Sequence, residues 1–189
     1  MKAIETVYNG YRFRSRLEAR WAVFFDGMGI PYRYEPEGLE IRGQKYLPDF
    51  WIPLVTNGVI KDKVGFWAEI KPPVAVTADE MLLWYHTAWD TNTSVLAFVG
   101  DPHPDEYKVI KFCAVYNEEP ILMDNLHFEY QADRDGRLLA LLFSNDGGYS
   151  GGPVAVNVRL YEALEAARKA RFEHEYFNRP KEAVKHIFA

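Results

Sequence analysis

The sequence predicts an α/β domain with a mixed central sheet flanked by helices, extended by an antiparallel hairpin and a C-terminal helix. Three observations carry this expectation. Apolar residues recur at helical spacing after Ser15 and again after Thr77. Between and beyond those stretches lie short runs rich in Val, Ile, Phe, Tyr and Trp, bounded by Gly, Pro and Asn. A hydrophobic content of 48% with 15% aromatics in 189 residues supports a sizeable core and excludes a disordered chain.

Residues 1–14 read as a short strand or arm with a turn at Asn9-Gly10. Ser15-Arg16-Leu17-Glu18 fits a capping box, with Ser15 as N-cap and Glu18 at the third helical position. Leu17, Trp21, Phe24, Phe25 and Met28 continue it as an apolar stripe, which Gly27, Gly29 and Pro31 end. Tyr32–Glu35 alternates as a strand, Leu39–Ile41 resumes after a turn, and Tyr46–Ile52 follows Gly43. Asn57-Gly58 marks a loop before the strand Phe66–Lys71, which Pro72-Pro73 stops. Thr77–Glu80 is a second capping box opening a helix through Met81, Leu82, Trp84, Tyr85, Ala88 and Trp89. Thr93–Val99 is a short, continuously apolar strand.

The second half is more antiparallel in character. Tyr107–Tyr116 reads as a strand, and Leu126–Gln131 pairs with Arg137–Ser144 across Asp133-Arg134-Asp135-Gly136. Gly147–Pro153 is a glycine-rich connector without the lysine and hydroxyl residue of a phosphate-binding loop. A last helix covers about Val158–Tyr176, with Leu160, Leu164 and Ala167 on its apolar side. Residues 1–105 form the core of a single domain, and 106–189 an extension packed on it.

Charge is uneven about a net −5. Residues 1–20 carry five basic and two acidic side chains, residues 159–189 seven and five, and the middle is strongly acidic. Basic ends around an acidic centre fit a phosphate-binding rim about a cation site, and equally a solvated surface. The single cysteine, Cys113, excludes an intrachain disulfide, a zinc ribbon and a cysteine-ligated cluster, and reads as a buried free thiol. No signal core or membrane-length apolar run is present, so the chain is expected to be soluble and cytoplasmic, with no membrane partner.

The stretch from Tyr46 to Lys71 holds the chemistry. Two apolar runs, YLPDFWIP and WAEIK, deliver Asp49, Glu69 and Lys71. In a strand Glu69 and Lys71 share one face, so a carboxylate and an ammonium emerge side by side from an otherwise buried segment. Hard cations such as magnesium take one or two carboxylates plus waters and substrate phosphates. Asp49 and Glu69 suit that role, with the carbonyl of Ile70 as a third oxygen, while Lys71 can orient a water or stabilise a charged phosphorane. Each has a plainer reading: Glu18 as the capping-box acid alone, Asp49 as a turn residue after Pro48, Glu69 and Lys71 as a surface pair. Glu35 reads first as a structural or surface acid and second as a supporting acid at the site, and His86, His103, His127, His174 and His186 lack metal-ligand spacing.

Pro48-Asp49 followed by Glu69-Ile70-Lys71 resembles the PD-(D/E)XK nuclease motif shared by many restriction endonucleases, lambda-type exonucleases and TnsA-like transposon endonucleases. The order of helix with Glu18, Asp49, Glu69-x-Lys71, second helix and strand is similar to that superfamily's αβββαβ core. YRFRSRLEARWAVFFDGMGIPYRYEPEG resembles the opening of small bacterial and phage proteins of this class. The resemblance covers roughly residues 8–100. It implies Glu18 as an accessory acid, Asp49 and Glu69 as ligands of Mg2+ (with Mn2+ as substitute) and Lys71 as the catalytic lysine. The expected activity is a magnesium-dependent deoxyribonuclease, endonuclease rather than exonuclease, in phage or mobile-element DNA processing within a bacterial or phage-infected host cell. The runner-up is an inactive nucleic-acid-binding or assembly subunit. DNA is the expected partner. A targeting protein and a homodimer are both compatible with the sequence.

Arg12, Arg14, Arg16 and Arg20 are the candidates for phosphate contact. Alternation puts Arg12 and Arg14 on one face of the extended arm, and Arg16 and Arg20 lie one helical turn apart away from the apolar stripe. Such arginines position a nucleic-acid backbone without reading its sequence. Arg168, Lys169 and Arg171 form a weaker second patch.

Overall fold

A computed structural model describes residues 4–56, 59–74, 76–104, 106–132, 138–143, 152–153, 155–156 and 159–172. The expectations for Asn57-Gly58, for Asp133–Gly136, for most of the glycine-rich connector and for the chain end lie outside these residues.

Strands β1 (Thr6–Tyr8) and β2 (Tyr11–Phe13) form a hairpin across Asn9-Gly10. Both turn residues have positive φ, 46° and 79°, the combination that a two-residue hairpin turn needs and that Asn-Gly supplies at least cost. Helix α1 (Arg16–Gly27) starts at Ser15, whose backbone is extended and whose hydroxyl accepts the Glu18 N–H. Its stripe is real: Trp21, Phe24 and Phe25 are fully buried. The chain turns out at Met28 and Gly29, where φ is +62°.

Then follow β3 (Arg33–Tyr34), β4 (Leu39–Ile41), β5 (Gln44–Tyr46), β6 (Phe50–Thr56) and β7 (Val59–Lys71). Two expectations need correcting. Tyr46–Ile52 is not one strand, because the chain leaves the ladder at Leu47-Pro48-Asp49, where Pro48 has no N–H to give. Strand β7 starts at Val59 rather than Phe66. Its first six residues are exposed, so no burial-driven alternation marked them, and backbone pairing with β6 alone makes them strand.

Helix α2 (Ala78–Thr91) carries the full capping box between Thr77 and Glu80, and ends on Asn92 in the left-handed conformation. After it come β8 (Val95–Gly100), β9 (Tyr107–Val115), β10 (Glu118–Ala132), β11 (Leu138–Phe143), β12 (Ala155–Val156) and α3 (Leu160–Lys169). The expected pairing of 126–131 with 137–144 is the β10–β11 ladder. The start of β10 at Glu118 was not foreseen. It forms a hairpin with β9 whose Asn117 has φ of 58°. Helix α3 is shorter than expected, since Ala170 turns extended. Cys113 is half-buried rather than buried.

Eight strands join in one mixed sheet in the order β12-β11-β10-β9-β8-β7-β6-β3, with β7–β8 parallel and the other pairs antiparallel. Helices α1 and α3 cover one face, where Phe50, Ile52, Ala68, Ile70, Leu96 and Phe98 meet the helix side chains. Trp21 anchors that layer, its ring 4.7 Å from Phe98 and its Nε1–H donated to the Gly100 carbonyl at 2.9 Å. Helix α2 covers the other face, where Trp84 and Ala88 meet Trp51, Trp67, Val95, Ala97 and Val99. Alternation along β7 thus sends Ala68 and Ile70 toward α1, and Glu69 and Lys71 toward α2. Among the described residues no helix is long and apolar enough to cross a membrane.

Strand β3 pairs only with Phe50 and Trp51, so β6 is a sheet edge beyond them and tolerates Pro53. Pro53 faces Gly65, and a Cβ on Gly65 would lie 2.2 Å from the Ile52 carbonyl oxygen and 2.8 Å from Pro53 Cα. Gly65→Ala is therefore expected to destabilise the fold by about 1–3 kcal/mol. Urea denaturation checks this, and an unchanged midpoint would contradict it.

Candidate active site

The site lies where β6 and β7 part. Their last pair at this end is Phe50 with Ala68, which brings Asp49 beside Glu69 one residue past the ladder. Asp49 turns its Oδ2 to the Ile70 N–H at 2.8 Å. In an antiparallel pair a residue's N–H and C=O point to the same side. The Ile70 carbonyl therefore faces the side where Asp49 lies. Glu69 takes a hydrogen bond from the Tyr46 hydroxyl on Oε1 at 2.6 Å, and Lys71 Nζ lies 3.2 Å from its Oε2. Lys71 is also 2.9 Å from Glu80 Oε1, in the first turn of α2. Glu80 thus serves two ends, since its other oxygen accepts the Thr77 N–H at 2.9 Å and closes the cap.

Glu18 approaches from α1. Its carboxylate does not close the expected capping box on the Ser15 N–H: Oε1 accepts from the Ser15 hydroxyl at 2.7 Å, and Oε2 accepts from the Tyr34 hydroxyl at 2.6 Å and the Arg14 N–H at 3.1 Å. Arg14 ties this arm to the rest. Its Nη2 is 2.6 Å from Asp49 Oδ1 and its Nε 2.6 Å from Glu35 Oε1. Three carboxylates, from α1, the β5–β6 connection and β7, are thereby gathered, with Glu18, Asp49 and Glu69 only 7%, 5% and 3% exposed.

Such crowding is expensive. Burial pushes the Asp49 carboxyl well above the ordinary carboxylate range, and the charges of Glu69 and Glu18 push it further than Ile70 N–H and Arg14 pull it back. Burial also raises Glu69, against the pull of Lys71 and Tyr46. Burial works against the Lys71 charge, but Glu69 and Glu80 outweigh it, so the amine is held above its usual value and stays protonated. Burial would raise Glu80 too, yet its bonds to Lys71 and Thr77 lower it. The pocket is short of positive charge.

That shortage is what a hard divalent cation relieves, and the donor set fits one: two adjacent carboxylates on the same side as a backbone carbonyl. Among the described residues no group of three or more His, Cys, Asp or Glu side chains is placed to hold a metal ion. Magnesium does not ask for such a group, since it keeps waters and takes substrate phosphates as ligands.

The arginines divide. Arg12 is paired with Glu5, and Arg20 with Asp101 at 2.6 Å. Arg16 is exposed on the first turn of α1. Arg14 turns its head into the acidic cluster, although β-alternation sets it on the same side of the arm as Arg12. Sequence reasoning missed Tyr34, Tyr46 and Glu80 at the site, and ranked a supporting role for Glu35 there below a structural or surface one. Tyr46 ends β5, three residues before Asp49. Glu80 was already singled out as a cap, and its reach to Lys71 depends on the packing of α2. No family model, no curated protein and no solved structure matches this chain.

Proposed function

We propose that the chain is a metal-dependent DNA nuclease of the PD-(D/E)XK kind, with a restriction-endonuclease-like core, that hydrolyses phosphodiester bonds and acts as an endonuclease. One observation carries this reading: Asp49 is bonded to the Ile70 N–H between Glu69 and Lys71, so two buried carboxylates and a lysine meet at one sheet end. Asp49, Glu69 and the Ile70 carbonyl are the residues to hold magnesium. The ion, when bound, supplies Lewis-acid polarisation and a water of lowered pKa.

The remaining chemistry belongs to the chain. Lys71, held charged by Glu69 and Glu80, presents an ammonium to a scissile phosphate and counters the charge that grows there. Glu80 restrains the long lysine stem, which reduces the reorganisation needed as the reaction proceeds. Tyr46 fixes the orientation of Glu69, and Tyr34 that of Glu18. A DNA substrate, a targeting protein partner, a cytoplasmic setting and a role in phage or mobile-element DNA processing belong to the same proposal.

Incubation of the purified protein with linear, nicked, branched and single-stranded DNA tests it. At least one substrate is expected to be cut with Mg2+ or Mn2+ and spared with EDTA. Cutting that persists in EDTA would overturn the metal-dependent reading.

A further inference from the structure

Arg14 bridges two of the site's acids, a different pair from Lys71's own, Glu69 and Glu80. Its Nη2 meets Asp49 Oδ1 and its Nε meets Glu35 Oε1, each at 2.6 Å. Asp49 Oδ2 is already committed to the Ile70 N–H, so Oδ1 is the oxygen left for a cation, and the guanidinium sits on it. The backbone of Arg14 is anchored independently, its N–H shared between Tyr34 Oη at 2.9 Å and Glu18 Oε2 at 3.1 Å. The head can therefore leave without disturbing the segment that carries it. Asp49 is 7% exposed at its side chain and Arg14 53%, so the guanidinium reaches inward from the mouth of the site with a clear way back to solvent.

We propose that Arg14 is the resident counter-cation of the site, one that exchanges with a divalent ion at Asp49 and is thereby released to hold a substrate phosphate. The inference rests on the reading of Asp49 as a metal ligand. A guanidinium and a divalent ion on the same carboxylate oxygen repel each other, so occupation by one disfavours the other. Asp49 is thus neutralised before the ion arrives, which avoids a bare buried charge. Glu35 keeps its hold on Nε during the exchange and makes the motion a pivot rather than a loss of order. The planar fork then has a free edge suited to phosphate oxygens. Arg14 becomes a phosphate contact only in the metal-loaded protein, which couples DNA affinity to the metal.

Mn2+ titration followed by electron paramagnetic resonance, with no substrate present, tests the exchange. Arg14→Met keeps the stem and removes the charge, and is expected to bind Mn2+ about tenfold more tightly than wild type. Arg14→Lys keeps a competing charge and is expected to stay near wild type. Binding to a short labelled duplex in Ca2+ is expected to weaken in Arg14→Met, with a salt slope shallower by about 1. In EDTA the two proteins should bind that duplex alike. Arg14→Gln repeats the comparison should the methionine variant not fold, as judged by near-ultraviolet circular dichroism. Unchanged or weaker Mn2+ binding in the neutral variant, while wild type binds and Asp49→Ala does not, overturns the exchange and leaves the metal site standing. Wild type that binds no more Mn2+ than Asp49→Ala overturns both.

Discussion

Lys71→Met is expected to slow magnesium-dependent DNA cleavage by on the order of 10³-fold while Mn2+ binding is retained. The side chain ends β7 and projects to the α2 face, where Glu69 at 3.2 Å and Glu80 at 2.9 Å hold its ammonium. Those two carboxylates keep it protonated despite burial, so its part is that of a fixed cation rather than a base. Methionine preserves the apolar stem and leaves Glu69 in place for the ion. Glu69 then loses a neighbour that lowered its proton affinity, which calls for measurement above neutral pH. Single-turnover cleavage beside a Mn2+ titration separates the two effects. Cleavage within about threefold of wild type would remove Lys71 from the chemistry.

Asp49→Asn should move activity and stability in opposite directions. Cleavage is expected to fall below detection, because the amide replaces a charged ligand with a neutral one. Stability in EDTA at pH 7.5 is expected to rise. The folded-state carboxyl titrates well above its ordinary value of about 3.8, through burial and the charges of Glu69 and Glu18. A group raised in this way stabilises the fold fully below its unfolded pKa and loses that contribution as pH climbs through the folded value. Wild type therefore weakens from about pH 4 upward while the asparagine variant is spared this loss, and the gap between them closes in acid. Thermal melts in EDTA across that range check it. A variant less stable than wild type at pH 7.5 would mean that the Arg14 ion pair outweighs the cost of burying the charge. Trading stability for a charged pocket is a common feature of functional sites.

Much of this arrangement could be read from the chain because it is local. The Ser15 and Thr77 caps, the Trp21–Phe24–Phe25 stripe and the Asn9-Gly10 turn each follow from neighbours within four residues. Glu69 and Lys71 fall on one strand face by period-two alternation alone. What escaped the sequence depends on approach in space. Pro48 breaks a run that otherwise looks like one strand, and only the break lets Asp49 turn to the Ile70 N–H. Tyr34 and Tyr46 looked like ordinary strand aromatics, and their hydroxyls find acids 16 and 23 residues away. Arg14 was grouped with Arg12 on one face of the arm as a phosphate contact, yet the buried carboxylates draw its head inward. The exposed first half of β7 buries nothing, so no pattern announced it.

The central claim is that Asp49, Glu69 and Lys71 hydrolyse DNA with a divalent metal. The most direct measurement sets wild type and Asp49→Ala, purified side by side, on the same DNA panel with Mn2+. The account predicts cleavage by wild type of at least one DNA form and none by a folded Asp49→Ala. Equal cleavage by the two proteins, or none by either, would contradict it.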